Sequence, residues 1–202
     1  MFYRPGIDDH GLPHDPFKAM VAPRPIGWIS SCGADGHVNL APYSFFNAMA
    51  DNPPMVVFAN TGTKADRDGA KDTVSNIRET GEFVHNLVPD ALREAMNLTS
   101  GSYRAGVDEF ELAGLEKAPS RLVKPPRVAA APAAFECRLW KIVELPGDHN
   151  VMVIGQVIGI HYDAAMVRDG IFDVTRAAPL ARLGYRDFAA VREVFALKRP
   201  GE

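Results

Sequence analysis

The sequence predicts a mainly β fold, an antiparallel barrel carrying a few peripheral α-helices. Three observations lead there. Sixteen prolines and 17 glycines cut the chain into many short segments, a punctuation that favours strands over long helices. In residues 133–145, apolar Ala133, Phe135, Cys137, Leu139 and Val143 alternate with Glu136, Arg138 and Glu144, the period of two that a half-buried strand requires. The regular helical crossovers that a parallel, doubly wound sheet demands are missing.

The elements follow in order. Residues 26–31 and 38–42 read as strands, joined by CGADGH with Asp35-Gly36 as the turn signal. The second run breaks at an Ala-Pro-Tyr-Ser step, Ala41 to Ser44, where proline withdraws a backbone donor. SFFNAM and MVVFANT come next, separated by Asp51-Asn52-Pro53-Pro54, a stop that neither strand nor helix crosses easily. A helix over 71–80 puts Val74 and Ile77 on one face, with Asp72 or Thr73 as N-cap and Gly81 closing it. EFVHNLV is a further short strand, with His85 beside Asn86 at a strand edge. A second helix, over 90–99, starts after Pro89 and gathers Leu92, Ala95, Met96 and Thr99. Residues 101–132 are loop-rich, with short elements at most. In 150–163, Val151, Val153 and Val157 share one face and Met152, Ile154, Ile158 and Ile160 the other. Such a strand should be buried on both sides.

Nothing in the chain divides it. There is no internal repeat, low-complexity tract or linker, so the reading is one domain over 1–202, with its core in about 17–188. With 202 residues, 47% of them hydrophobic and 23% charged, the chain can build a core without covalent staples. Its net charge of −3 argues against a nucleic-acid or anionic-membrane partner. No apolar run approaches a membrane span. MFYRPGIDDHG is acidic and has no apolar core, unlike a signal peptide. Two cysteines, Cys32 and Cys137, fit reduced thiols in a cytoplasm better than a disulfide.

Most chemical signatures fail on spacing. His10 and His14 are four apart, but Gly11 and Pro13 spoil the helix that a metal pair would need, and no zinc site is legible. GTKADRDGAK does not match a P-loop, and there is neither a dinucleotide-binding G-x-G-x-x-G nor a G-x-S-x-G nucleophile elbow. Polar groups at strand ends remain, with basic residues just outside them. Arg24 precedes the first strand, Asn39, Pro42, Tyr43 and Ser44 interrupt the second, Asn60 and Thr61 end another, and Lys71-Asp72-Thr73 opens a helix. Helix N-terminal amides with Lys, Arg and hydroxyls can hold a phosphate. A strand interrupted by proline frees backbone groups to meet the edge of a ring that donates and accepts hydrogen bonds. The bland alternative is a bulge at a barrel corner beside a solvated helix cap.

These same stretches carry a resemblance. PRPIGWISS, NLAPYSFFNAMADNPPMVVF and KDTVSNIRETGEFVHNL, followed by FECRLWKIVELPGDHNVMVIGQVIGIHYD and PLARLGYRDF, occur in an order and spacing similar to the flavin reductase-like family of FMN-binding split β-barrel proteins. The resemblance covers residues 17–188 and implies a split, Greek-key type barrel that binds FMN at a homodimer interface. It implies that Asn39, Ala41, Pro42, Tyr43, Ser44 and Phe45 face the isoalloxazine ring. Arg24, Asn60, Thr61, Lys71, Asp72 and Thr73 would then hold the ribityl and phosphate end. The implied activity is hydride transfer from NADH or NADPH to flavin, then electron transfer to free flavin or another small acceptor. The flavin carries that chemistry, so no catalytic side chain is expected. His161 is the histidine best placed to reach the ring, and His149 should be solvated in a turn. Two alternatives stay open: an FMN-dependent reductase of another acceptor, and a non-catalytic FMN-binding electron carrier. A partner monooxygenase is also left open.

Overall fold

The computed structural model describes residues 1–62, 72–104 and 106–201. Strands β1 (Arg24–Pro25), β2 (Gly27–Cys32), β3 (Val38–Tyr43), β4 (Phe46–Asp51) and β5 (Pro54–Asn60) come first. Helix α1 (Asp72–Thr80), β6 (Glu82–Asn86) and helix α2 (Arg93–Leu98) follow. The 12-residue strands β7 (Ala133–Glu144) and β8 (Val151–Tyr162) precede a closing pair, β9 (Leu180–Arg182) and β10 (Phe188–Ala190). Seven strands form one antiparallel sheet in the order β3-β2-β6-β7-β8-β5-β4, and β1, β9 and β10 form a second, three-stranded one. No helix among the described residues is long and apolar enough to cross a membrane.

The large sheet curls until each edge strand reaches an inner strand of the opposite side through its side chains. Phe46 of β4 stacks on His85 of β6 with ring centroids 4.3 Å apart, and Tyr43 of β3 meets Phe58 of β5 at 4.7 Å. Gly27 of β2 makes room for that approach: a Cβ there would lie 2.5 Å from the Phe46 ring. No strand ladder joins β3 to β4, so the barrel is split. Its interior holds Ile29, Val56, Phe58, Phe83, Cys137, Val153 and Val157, and α1 plugs one end with Val74 and Ile77. Each such side chain contributes roughly 1.5–3 kcal/mol on full burial. A second core lies outside the barrel, where Trp28 and Leu40 meet Val88, Met96, Phe110 and Leu180. There the Trp28 indole donates to Thr99 Oγ1 at 2.9 Å.

Several expectations are corrected. β3 does not break at Pro42; it runs to Tyr43, with Pro42 opposite Trp28. The reason is that β3 is an edge strand. Leu40, two residues earlier and of the same parity, turns its N–H outward to Glu109 Oε2 at 2.9 Å, so the donor that Pro42 lacks falls on the unpaired side. β6 is central, between β2 and β7, and His85 is buried rather than at an edge. Glu136 is 0% exposed, not on a solvent face, because Arg121, Leu122 and Val123 donate their backbone N–H groups to its carboxylate. β8 is buried on both sides only in its first half; Ile160 and Tyr162 stand exposed. Helix α1 closes at Gly81 as expected, with φ +72°. The second helix divides into a 3₁₀ turn, Asp90–Leu92, and α2. The loop-rich stretch holds short elements, the helix Glu109–Leu112 and the two-residue ladder of Lys117–Ala118 with Arg127–Val128.

Candidate functional site

At the plugged end of the barrel, β3 and α1 meet over a polar contact. The Asn39 amide donates to Thr73 Oγ1 at 2.8 Å, both residues buried. Around this contact Asn39, Ala41, Pro42, Tyr43, Asp72 and Thr73 line a small cavity of about 80 Å³. Burial pushes the Tyr43 phenol well above its ordinary pKa, so the hydroxyl stays protonated. Ser44 and Phe45 continue the chain from β3 into β4. Asn60, at the end of β5, is 2% exposed and its Oδ1 is buried without a hydrogen-bond partner. A buried acceptor left so costs roughly 1–3 kcal/mol unless something answers it. Thr61 is exposed beside it, and Lys71 lies outside the described residues.

Arg24 does not join that cavity. Its guanidinium donates to the carbonyls of Lys18, Val21 (2.5 Å) and Leu183 (2.7 Å) and lies 5.9 Å from the Phe45 ring. With Pro42 and Ser44 it lines a larger cleft of about 900 Å³. Pro42 belongs to both spaces, so the two adjoin. The sequence reading missed the far wall of the cleft, made by Arg182, Tyr185, Arg186 and Phe188. RLGYRDF interleaves basic and aromatic residues around a glycine, and that was the available signal.

The histidines divide sharply. His85 sits between Phe46 and Phe135 in the barrel, and burial drives its pKa down to about 3. It is a neutral core side chain. His161 does not reach the candidate site; its Nε2 lies 2.5 Å from Glu136 Oε1, on the face that holds residues 121–123. His149 is exposed in the turn after Gly147, as expected.

Comparison with known proteins agrees with this geometry. A flavin reductase like domain matches residues 20–180. An uncharacterized protein of Deinococcus radiodurans is 40% identical over 189 residues, spanning 90% of this chain and 82% of its own. An uncharacterized protein of Aquifex aeolicus is 37% identical over 166 residues, 82% of this chain and 83% of its own. Among solved structures, nitrilotriacetate monooxygenase component B from Bacillus cereus superposes with a TM-score of 0.88 at 28% identity, covering 98% of each chain. The 2-nitrobenzoate 2-nitroreductase of Pseudomonas fluorescens gives 0.79 at 31% identity, covering 92% of this chain and 89% of its own. The split barrel, its polar rim and the match across residues 20–180 together make this chain a member of the flavin reductase like domain family.

Proposed function

We propose that the chain binds FMN at the rim between β3 and α1 and serves as an oxidoreductase that takes hydride from NADH or NADPH. The observation that carries this reading is the unanswered polarity of the rim. Asn60 Oδ1 and the protonated Tyr43 hydroxyl are buried without a hydrogen-bond partner, and the Asn39 amide, bonded to Thr73, lines the same small cavity as Tyr43. These are groups a heteroaromatic ring and a polyol chain can satisfy. When bound, the flavin supplies the electron transfer. The protein's part is to hold it: residues Asn39 to Phe45 along the ring, and Asn60, Thr61, Lys71, Asp72 and Thr73 toward the ribityl phosphate. Arg24 braces the adjoining cleft through its three carbonyl contacts.

The electron acceptor is free flavin or another small molecule. The 31% identity to a nitroreductase favours the second of these as an alternative. Oxidation of NAD(P)H with and without added FMN separates the cases. Turnover that rises with free flavin supports flavin reduction; turnover only with a nitro compound or quinone supports a fixed FMN group. No turnover at all would leave an electron carrier.

We also propose a homodimer in the cytoplasm. Cys32 and Cys137 are both free thiols. Trp140 of β7, Ile160 and Tyr162 of β8 and Met49 of β4 are all more than half exposed, apolar surface available to a second copy. Light scattering should show twice the chain mass; a 22.0 kDa species with FMN bound would contradict the dimer.

A further inference from the structure

The cleft of about 900 Å³ is large enough for a dinucleotide and carries a charge the rest of the chain does not. Lys18, Arg24, Arg182 and Arg186 line it, against the carboxylates of Asp15 and Asp187, on a chain whose net charge is −3. Arg24 is 6% exposed, forms no ion pair among the described residues, and its Nε is buried without a partner. Burial and the nearby Arg182 both lower its pKa. Its NH groups are held by three backbone carbonyls, so it lends its charge to a cleft whose four cations outnumber its two carboxylates.

The aromatic wall is shaped with equal care. The Arg182 guanidinium stacks over the Phe188 ring at 4.4 Å and donates to the Tyr185 carbonyl. Tyr185 sits at φ +53°, a left-handed backbone that a bulky side chain adopts only when its surroundings impose it. Its ring, half exposed, stands at the cleft. Lys18 and Arg186 are exposed and form no ion pair among the described residues.

We propose that this cleft is the subsite for the adenosine phosphates of the hydride donor, and that its charge makes the protein prefer NADPH to NADH. The inference rests on the nicotinamide reading given above and adds the choice between the two dinucleotides. Pro42 and Ser44 place one end of the cleft against the proposed flavin rim, and the cations and aromatic rings occupy the rest. A 2′-phosphate adds up to two negative charges to the ligand, which the cleft's excess of cations over carboxylates favours over the uncharged ribose hydroxyl. Tyr185 and Phe188 offer faces for the purine.

Two measurements test this. Calorimetric titration with 2′,5′-ADP and with ADP should show the first binding at least tenfold tighter, by a margin that shrinks as salt is raised. Lys18→Ala and Arg186→Ala should each narrow that margin severalfold, and Lys141→Ala, outside the cleft, should not. In the FMN-loaded protein the ratio of kcat/KM for NADPH over NADH should exceed ten and fall in the same two variants. Equal binding of 2′,5′-ADP and ADP, or a margin indifferent to both substitutions, would overturn the subsite. Flavin reduction at equal rates by both dinucleotides would overturn the preference while leaving the nicotinamide reading intact. Reduction by neither would overturn that reading, and this inference with it.

Discussion

On the inner face of the central strands, His85 of β6 lies between Phe46 and Phe135. On the outer face, Glu136 of the adjacent β7 accepts three backbone N–H groups and meets His161. Both residues are buried, and the fold treats them oppositely. The barrel interior offers His85 no counter-charge, so burial lowers its pKa to about 3 and the ring stays neutral. Burial pushes the Glu136 carboxyl up, but His161 and the N–H groups of Arg121 and Leu122 outweigh it and hold the group below its ordinary range. The interior tolerates a polar residue by discharging it; the outer face keeps a charge by surrounding it with donors. The barrel rim does neither for Asn60 Oδ1 or the cleft for Arg24 Nε. Those two groups lie where we propose that ligands bind.

The largest expected effect breaks the outer cage. Glu136→Leu should destabilise the protein by about 3 kcal/mol or more, because three N–H groups lose their acceptor at roughly 1–3 kcal/mol each. Urea denaturation measures it, and a loss below about 1 kcal/mol would show that the carboxylate is not what secures residues 121–123. On the proposed role of Lys71 toward the phosphate, Lys71→Ala should weaken FMN about ten- to a hundredfold, the loss of a charge-assisted contact of roughly 1.5–3 kcal/mol. Riboflavin, which lacks the phosphate, should bind almost unchanged; equal losses for both ligands would move the phosphate elsewhere.

The pH dependence sharpens the contrast between the two buried groups. The folded pKa of His85 is depressed from 6.5 to about 3. The unfolded chain therefore binds the extra proton first, and stability is full above about 6.5 and declines toward about 3. The slope from this one group is at most about 1.4 kcal/mol per pH unit. His85→Phe should flatten that limb. The Glu136 contribution is present above the ordinary carboxylate pKa and lost as pH falls through its lowered folded value, so Glu136→Gln should alter only the more acidic part. An acid limb identical in His85→Phe and the parent would mean that the barrel does not lower the His85 pKa.

Much of this arrangement is legible in the sequence, because period-two patterning and turn residues are local signals. β2, β5, β7, β8 and α1 fall where the periodicity puts them. Pro42 misleads because the chemistry of proline is local but strand position is not: only the sheet order reveals an edge that needs no donor there. Glu136 misleads for a similar reason, since its partners lie 13 to 15 residues away in a stretch without periodicity. β9 and β10 are three residues each; β10 pairs only with β9, and β9 with the two-residue β1 far earlier in the chain, all too short for any window to detect. The cleft wall went unseen with them. The rim residues Asn39, Tyr43 and Asn60, by contrast, stand out as polar interruptions in apolar runs.

The central claim is that the rim holds FMN where a nicotinamide can reduce it. Anaerobic rapid mixing of the FMN-loaded protein with NADPH, and separately with NADH, tests it most directly by following the bound flavin's absorbance. The account predicts bleaching in a single turnover, faster with NADPH, and undiminished beyond about tenfold in His149→Asn. A bound flavin that stays oxidised with both dinucleotides would contradict it.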